Sequence, residues 1–266
     1  MVLDPAKVAF YFPPEINHGE KLKLFDRMAR HIRLSGGMIV KGDHTPLATL
    51  PADVIPVVGC SPQLTPMITE WRRTGRDFLY WDRGYFRRVY ATWLPKGDNG
   101  GYYRWVRNAF QMQKIEPKPS DRWKSLKTEV QPWRKSGRHI VIAAPTRTYS
   151  RFHKTESWIA DTIDALARVT TRQLVIRDKE SKRSLQSDLA DAHCLVTHGS
   201  IAAVESVVLG VPVVVHVDSA AALVGKTDLT KIDEQVTPDR EPWLHALAYS
   251  QFSETEMIDG SIWKML

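Results

Sequence analysis

Cysteine is scarce in this sequence. Its 266 residues include two cysteines, Cys60 and Cys194, which lie far apart and each in an apolar context. Two isolated cysteines supply neither a disulfide framework nor the ligand spacing of a zinc cluster, so we expect a reducing environment. No Asp-x-Asp cluster stands at the end of a predicted strand, and we therefore predict no essential metal ion.

Long apolar runs are also missing. No window reaches the roughly 18 apolar residues that a membrane-spanning helix needs. The first residues, MVLDPAKVAFYFPPE, lack the basic and apolar regions of a secretory signal. We therefore expect a cytoplasmic protein without a membrane partner, whose oligomeric state the sequence leaves open.

The positive charge is unevenly distributed. The net charge is +7, but residues 1–135 carry 23 Lys and Arg against 13 Asp and Glu, whereas residues 136–266 carry 14 against 17. A basic half predicts an anionic partner, and nucleic acid is the commonest large one. Solubility alone is the simpler explanation of the same charge.

The pattern of strands and helices predicts two α/β domains. The segments KVAFYF, GEKLKLFDRMARHIRLSG and DVIPVVGC read as strand, helix and strand. Residues 114–137, rich in Pro, Lys and Ser, read as a connector. After it, apolar strands alternate with amphipathic helices, which is typical of a parallel sheet covered on both faces. We predict domains at 1–135 and 136–240, followed by a C-terminal stretch at 241–266.

One strand-to-helix turn, VTHGS, has the composition of an anion site. Gly199 allows close backbone approach to a ligand, and Ser200 can cap the following helix, whose free N–H groups suit a phosphate. His198 precedes them, and Glu205 can accept hydrogen bonds from both ribose hydroxyls. Plain capping and a solvated glutamate are the alternatives, but a Gly-x-Pro before the next strand favours a ligand site.

Two neighbouring strands also end in basic loops. Thr146 and Arg147 follow the strand HIVIAAP, and Arg177 and Lys179 follow the strand RQLVIRD. The carboxyl ends of parallel strands meet at one edge of a sheet, where guanidinium and ammonium groups bind phosphates. We predict that these four residues join the same site, although solvated loop charges are an equally simple explanation.

The segment VTHGSIAAVESVVLGVPVVV resembles the donor site of GT-B fold glycosyltransferases, and residues 139–216 follow the family's order of strands and helices. The resemblance implies that His198, Gly199 and Ser200 contact the diphosphate or sugar of a nucleotide sugar. It implies that Glu205 binds the ribose. The co-substrate is then a nucleotide sugar, with a UDP-sugar favoured, and we expect no further cofactor.

The same resemblance implies an architecture. GT-B enzymes have two Rossmann-type domains with a cleft between them, and their C-terminal helix crosses back to the N-terminal domain. We therefore expect residues 241–266 to pack on the N-terminal domain, and we expect metal-independent transfer to a hydroxyl group.

The N-terminal half contains a segment rich in arginine and aromatic residues. Residues 71–107 include 8 arginines and 11 aromatic residues. Arginines bind phosphates and aromatic rings stack on bases, although such rings can equally belong to a core. The nucleic-acid-binding candidates are Arg72, Arg73, Arg83, Tyr85, Arg87, Arg88, Arg104 and Arg107.

This segment also resembles phage-encoded proteins of similar size. Some phages use compact GT-B enzymes to glycosylate hydroxymethylated pyrimidines in DNA, which implies a DNA acceptor carrying a base such as 5-hydroxymethyluracil and a location in the host cytoplasm. A flipped base would present its hydroxyl for transfer. A polysaccharide or lipid acceptor, a related nucleotide-sugar enzyme and a non-catalytic DNA-binding accessory protein remain alternatives.

Transfer also needs a general base. Asp82, flanked by aromatic residues in YWDRGY, is the first candidate, followed by Asp43 and His44 in the turn KGDHTP and then by His18. A salt bridge is the alternative role for Asp82, with candidate partners Arg83, Arg87 and Arg88.

Overall fold

The computed structural model describes residues 2–13, 19–86 and 101–266. The chain divides into two compact units. Unit 1 comprises Met1–Phe110 and Ser250–Leu266, and unit 2 comprises Gln111–Tyr249. Among the described residues, no helix is both long and apolar enough to cross a membrane.

Unit 1 contains a six-stranded sheet. Its first five strands are β1 (Val8–Phe12), β2 (Met38–Lys41), β3 (Ile55–Val58), β4 (Leu79–Arg83) and β5 (Tyr102–Arg107). β1 pairs in parallel with β2 and β3, and β3 pairs in parallel with β4, whereas β5 runs antiparallel to β4. The strand order is β4-β3-β1-β2. The chain adds β2 on one side of β1 and then adds β3 and β4 on the other side, so the order of the connections reverses beside β1.

Three α-helices accompany this sheet within the described residues, and short 3-10 turns join them. α1 (Gly19–Leu34) and α2 (Thr65–Thr74) lie in the N-terminal part. The core is largely aromatic: the Phe10 ring lies 5.4 Å from that of Trp81 and 6.1 Å from that of Trp105. The Phe10, Trp81 and Trp105 rings are buried, and so is every residue of β1.

Unit 2 contains a fully parallel sheet. Its strands are β6 (His139–Ala143), β7 (Gln173–Arg177), β8 (Ala192–Thr197) and β9 (Val213–Val215), in the order β7-β6-β8-β9. The helices of unit 2 are α3 (Asp121–Ser125), α4 (Arg147–His153), α5 (Trp158–Ala167), α6 (Leu185–Leu189), α7 (Ala202–Val208) and α8 (Glu241–Tyr249). The alternation of strands and helices and the parallel sheet are as predicted, and β8 is buried at every position.

The C-terminal stretch is divided between the units. α8 belongs to unit 2, whereas β10 (Gln251–Ser253) and α9 (Glu254–Ile258) belong to unit 1. β10 pairs antiparallel with β5. A capping box begins α9, because the Ser253 and Glu256 side chains each bond to the other's backbone N–H.

The boundary between the units lies between Phe110 and Gln111, not at residue 135. The Gln111 amide donates to the carbonyl of Gly199 at 2.7 Å and accepts from the backbone N–H of Ala220 at 3.0 Å. Further along, the Trp133 indole donates to the carbonyl of Pro238 at 2.9 Å. These bonds make the segment predicted as a connector part of unit 2.

Candidate functional site

A cavity of about 300 Å³ opens at the carboxyl ends of the strands of unit 2. We call it the His198 pocket. The ends of β8 and β9, the loop from α4 to α5 and the start of α5 form most of its wall. Its polar and aromatic lining residues are Lys154, Thr155, Ser157, Trp158, Asp161, Thr197, His198, His216 and Thr227.

Two histidine rings stack in this pocket. The His198 and His216 rings are nearly parallel, at 10°, with centroids 4.3 Å apart. Burial, and then the neighbouring His216, lower the pKa of His198 from 6.5 to about 4, while Asp218 opposes the shift. His198 is therefore a neutral hydrogen-bonding group near pH 7.

The turn after β8 is held by side chains from elsewhere in unit 2. Gln111 bonds to the carbonyl of Gly199, and Thr197 donates to the carbonyl of Ala143 at 2.7 Å. Ser200 accepts from the backbone N–H of Ala202 at 3.2 Å, which closes a local turn, but the N-cap of α7 is Ile201 and not Ser200 as predicted. The turn is thus a fixed wall of the pocket.

Glycine at position 199 serves a different purpose from the one expected. A Cβ atom there would lie 2.2 Å from the Tyr149 hydroxyl oxygen. The space that we predicted for a ligand therefore holds a phenol of the protein itself.

Glu205 lies on α7 and is half-buried, with its Oε1 atom buried. It is not among the residues that line the His198 pocket. Gly210, which follows α7, has φ +75°, and a Cβ there would lie 2.0 Å from the carbonyl oxygen of Pro132. The crowding of backbone explains this glycine without a ligand, while the ribose role of Glu205 stays a prediction.

The predicted phosphate-binding residues are spread along the same sheet edge. Thr146 accepts from the backbone N–H of Tyr149 and so caps α4, and Arg147 and Lys179 are exposed. The Arg177 guanidinium donates to the buried carboxylate of Asp188 at 2.6 Å. Arg177 is therefore engaged in an internal ion pair, and none of these four predicted residues lines the pocket.

In unit 1, Asp82 lies at the end of β4 and pairs with Arg104. The Arg104 guanidinium donates to Asp82 at 2.9 Å, to the carbonyl of Arg83 at 2.8 Å and to the carbonyl of Phe110 at 3.1 Å. Asp82 also accepts from the backbone N–H of Arg83 at 2.8 Å. The salt-bridge alternative for Asp82 is thus present, but with a partner from the neighbouring strand.

The burial of Arg104 corrects one prediction. Its relative exposure is 5%, and its donors are directed to groups inside unit 1. A buried guanidinium with these partners does not contact DNA phosphates. Tyr85, at 1% exposure, is likewise buried and does not present its ring to a base.

Most aromatic residues in the described part of the arginine-rich segment are also buried. The buried members in the described part of residues 71–107 are Trp71, Phe78, Tyr80, Trp81, Tyr85, Phe86, Tyr103 and Trp105. Rings inside a core cannot stack on bases, so the interleaving of arginine and aromatic residues reflects a buried sheet with charged neighbours.

The remaining arginine candidates differ in their surroundings. Arg73 pairs with Glu70 at 2.6 Å, and Arg107 pairs with Asp77. Arg72 lies over the Phe110 ring at 5.2 Å, and Arg83 is half-buried. Arg87, Arg88 and the base candidate His18 lie outside the described residues.

The carboxyl edge of unit 1 carries other polar groups. The Tyr11 hydroxyl donates to the carbonyl of Gly42 at 3.0 Å and accepts from Gln63 at 3.1 Å. The Asp43 carboxylate accepts from the backbone and hydroxyl of Thr45, which lowers the pKa of Asp43. His44 follows in the same turn and is half-buried.

Cys60 lies near this edge as well. Burial and the neighbouring Asp82 raise the pKa of its thiol to about 12. A thiol that stays protonated is a poor nucleophile, so Cys60 has no catalytic role in this arrangement.

Most of the residues that line the His198 pocket were not predicted from the sequence. His198 was predicted, but His216, Trp158 and the loop around Lys154 were not. His216 directly follows β9, so the rule that ligands lie at the carboxyl ends of parallel strands points to it. The other residues depend on how the loop after α4 folds. Among the described residues, no group of three His, Cys, Asp or Glu side chains could hold a metal ion.

Comparisons with known proteins identify a fold. No protein-family model matches the sequence, and no curated protein matches it. Among solved structures, the chain is similar to Thermosulfurimonas dismutans KpsC, beta Kdo 2,7 transferase, at 11% identity and a TM-score of 0.50, over 95% of this chain and 97% of that chain. It is also similar to Thermosulfurimonas dismutans KpsC, beta Kdo 2,4 transferase, at 10% identity and a TM-score of 0.47, over 96% and 97%. The chain has a glycosyltransferase-like α/β fold with two parallel-rich sheets.

Proposed function

We propose that this protein is a glycosyltransferase whose nucleotide-sugar donor binds in the His198 pocket. The observation that carries the proposal is the position of the pocket, at the carboxyl ends of a parallel sheet in a glycosyltransferase-like fold. Its volume of about 300 Å³ is at the lower end of the range for small-molecule sites.

The lining of the pocket suits a nucleotide sugar. Thr155 and Thr227 supply hydroxyl groups for a ribose or a sugar, and Trp158 supplies an aromatic ring. Lys154 supplies a cation that favours a diphosphate leaving group. The identity of the nucleotide in the donor stays a prediction, and the family resemblance favours uridine.

A saccharide hydroxyl is our preferred acceptor. In the described part of residues 71–107, most aromatic rings are buried and three arginines are ion-paired, which weakens the case for a DNA acceptor there. The similar structure with a TM-score of 0.50 is a beta Kdo 2,7 transferase, so Kdo joins the sugars to be tested. A hydroxymethylated DNA base becomes the second acceptor in the same assay.

Transfer also needs a base on the acceptor side, and we propose His44 ahead of Asp82 and Asp43. Both Asp82 oxygens already accept hydrogen bonds, and Asp43 bonds to Thr45. An imidazole is the commonest general base. His44→Ala should lower kcat by about 100-fold and leave nucleotide-sugar binding unchanged.

Donor binding is tested by thermal unfolding with UDP-, CMP- and GDP-sugars, including activated Kdo. A ligand at 100 times its Kd adds about 2.7 kcal/mol to the unfolding free energy and raises Tm by a few degrees. Thr227→Trp should fill the pocket and abolish this rise. Thr171→Trp, an equally exposed threonine outside the lining, should keep it.

Acceptor identity is then read by mass spectrometry with oligosaccharides and with DNA containing 5-hydroxymethyluracil. A sugar-sized mass gain on an oligosaccharide supports the proposal, and a gain on the nucleoside moves the acceptor to DNA. If no nucleotide sugar shifts Tm in the unchanged protein, the glycosyltransferase proposal fails.

A further inference from the structure

Tyr149 reaches across from α4 to the turn after β8. Its hydroxyl oxygen lies 2.9 Å from Nδ1 of His198. A Cβ at position 199 would lie 2.2 Å from that oxygen and 3.2 Å from the ring carbon that bears it. Only glycine at position 199 therefore allows this hydrogen bond.

The direction of this bond is linked to the tautomer of His198. A phenol is a strong O–H donor, and a neutral imidazole has one acceptor nitrogen and one N–H. His198 is neutral near pH 7 because burial lowers its pKa to about 4. If the Tyr149 hydroxyl donates to Nδ1, the imidazole proton lies on Nε2; if it accepts, the proton lies on Nδ1.

Within the part of the chain that the structure describes, the imidazole of His198 has no hydrogen-bond partner other than Tyr149. His198 also lines the pocket. The His216 ring, stacked at 4.3 Å, fixes the plane of the imidazole. In the tautomer protonated on Nε2, that N–H has no acceptor among the described residues and is left for a ligand in the cavity that His198 lines.

We infer that Tyr149 is a positioning residue that holds His198 as the tautomer with its proton on Nε2, so that the pocket has a neutral N–H donor for an oxygen of the bound donor. The nature of the ligand rests on the proposed function. The tautomer itself does not, and it can be measured without a ligand.

The first experiment is ¹⁵N–¹H correlation NMR of the imidazoles in the full chain, with His198 assigned through His198→Asn. We expect a protonated Nε2 and an unprotonated Nδ1. Tyr149→Phe should mix the two tautomers, raise the midpoint of the His198 titration somewhat because a bond to the neutral imidazole is lost, and weaken nucleotide-sugar binding roughly tenfold. The groups to include in the titration analysis are His153, Lys154, Asp161, His216 and Asp218.

A glycine substitution separates the hydrogen bond from simple damage. Gly199→Ala should expel the hydroxyl, lower Tm and mix the tautomers. The double variant Tyr149→Phe, Gly199→Ala removes the closest clash, so it should recover most of the lost Tm while the tautomers stay mixed. Tyr249→Phe, which removes a hydroxyl bonded to Asp121 at 2.7 Å, should change neither the tautomer nor ligand binding.

Two results overturn the inference: an Nδ1-protonated His198 in the unchanged protein, or a Tyr149→Phe variant with unaltered imidazole shifts and unaltered affinity. Absence of any nucleotide-sugar binding is a different result. It removes the proposed function, and the imidazole spectra then decide the tautomer on their own.

Discussion

Both units bring polar side chains to the carboxyl ends of parallel strands, but these side chains have different partners. In unit 1, Asp82 bonds to Arg104, and Tyr11 bonds to Gln63 and Gly42. In unit 2, the side chains after β8 and β9 surround a cavity. A shared topology therefore predicts where a site can form, and the partners of each side chain decide whether it is used internally.

Histidine and arginine illustrate this difference. Arg104 uses its guanidinium on three acceptors inside unit 1, whereas His198 uses one ring nitrogen on Tyr149 and leaves the other for a ligand. A side chain with unused hydrogen-bonding capacity in a cavity is a better functional candidate than a charged one with all its partners inside the protein. This criterion favours the edge of unit 2 as the donor site.

The largest expected effect on the free energy of unfolding comes from removing the buried guanidinium of Arg104. Arg104→Met takes away the donor to Asp82 and to two backbone carbonyls. Asp82, with 37% of its side chain exposed, can then be solvated, whereas each buried carbonyl left without a donor costs about 1–3 kcal/mol. Urea unfolding should show this loss. Arg73→Ala, at an exposed pair with Glu70, should leave the free energy of unfolding nearly unchanged because water screens that pair. Equal losses in the two variants would mean that the edge of unit 1 is not held by Arg104.

The next effect compares two glycines that follow helices with positive φ. Gly210, in unit 2, has φ +75° and the Pro132 carbonyl 2.0 Å from an added Cβ, whereas Gly75, in unit 1, has φ +71° and no atom within 4 Å. Gly75→Ala should cost about 1 kcal/mol through backbone strain alone. Gly210→Ala should cost about 3 kcal/mol, because the backbone must also move. Similar losses, measured by urea unfolding, would contradict the crowding at Gly210.

Periodicity was enough to predict the parallel sheet of unit 2 and the turn that carries His198. The strands there are long and apolar, so local sequence contains the signal. β2, with only one buried residue in Met38–Lys41, lacks that signal and was missed. Likewise, composition could not tell whether Trp81 and Trp105 face a core or a ligand, because core strands and ligand-binding surfaces both contain aromatic residues.

Contacts between distant residues were beyond the sequence. Tyr149 lies 49 positions before His198, and Gln111 lies 88 positions before Gly199. No local pattern relates such pairs, so the glycine at 199 was interpreted as space for a ligand. A strand-to-helix turn is present where it was predicted, and the space beside Gly199 is occupied by Tyr149.

The third effect is a pH dependence of stability that belongs to unit 2. The folded state holds the pKa of His198 at about 4, below its ordinary 6.5, so the unfolded state binds the proton first as pH falls. The unfolding free energy should therefore decrease between pH 6.5 and 4, by roughly 2 kcal/mol for this group. His198→Asn should remove that part of the slope in parallel urea titrations. An unchanged slope would show that folding does not lower the pKa of His198.

The smallest effect concerns the exposed arginines of unit 1, on which the DNA prediction now depends. Arg73 already pairs with Glu70, and Arg72 lies over Phe110, so neither is prearranged for a phosphate. We expect duplex binding, measured by fluorescence anisotropy, to show a salt slope of fewer than about three phosphate contacts. The double variant Arg72→Ala, Arg73→Ala should leave that slope nearly unchanged. A steep slope that falls by about two units in the variant would restore DNA as the acceptor, because each lost phosphate contact lowers the slope by about one.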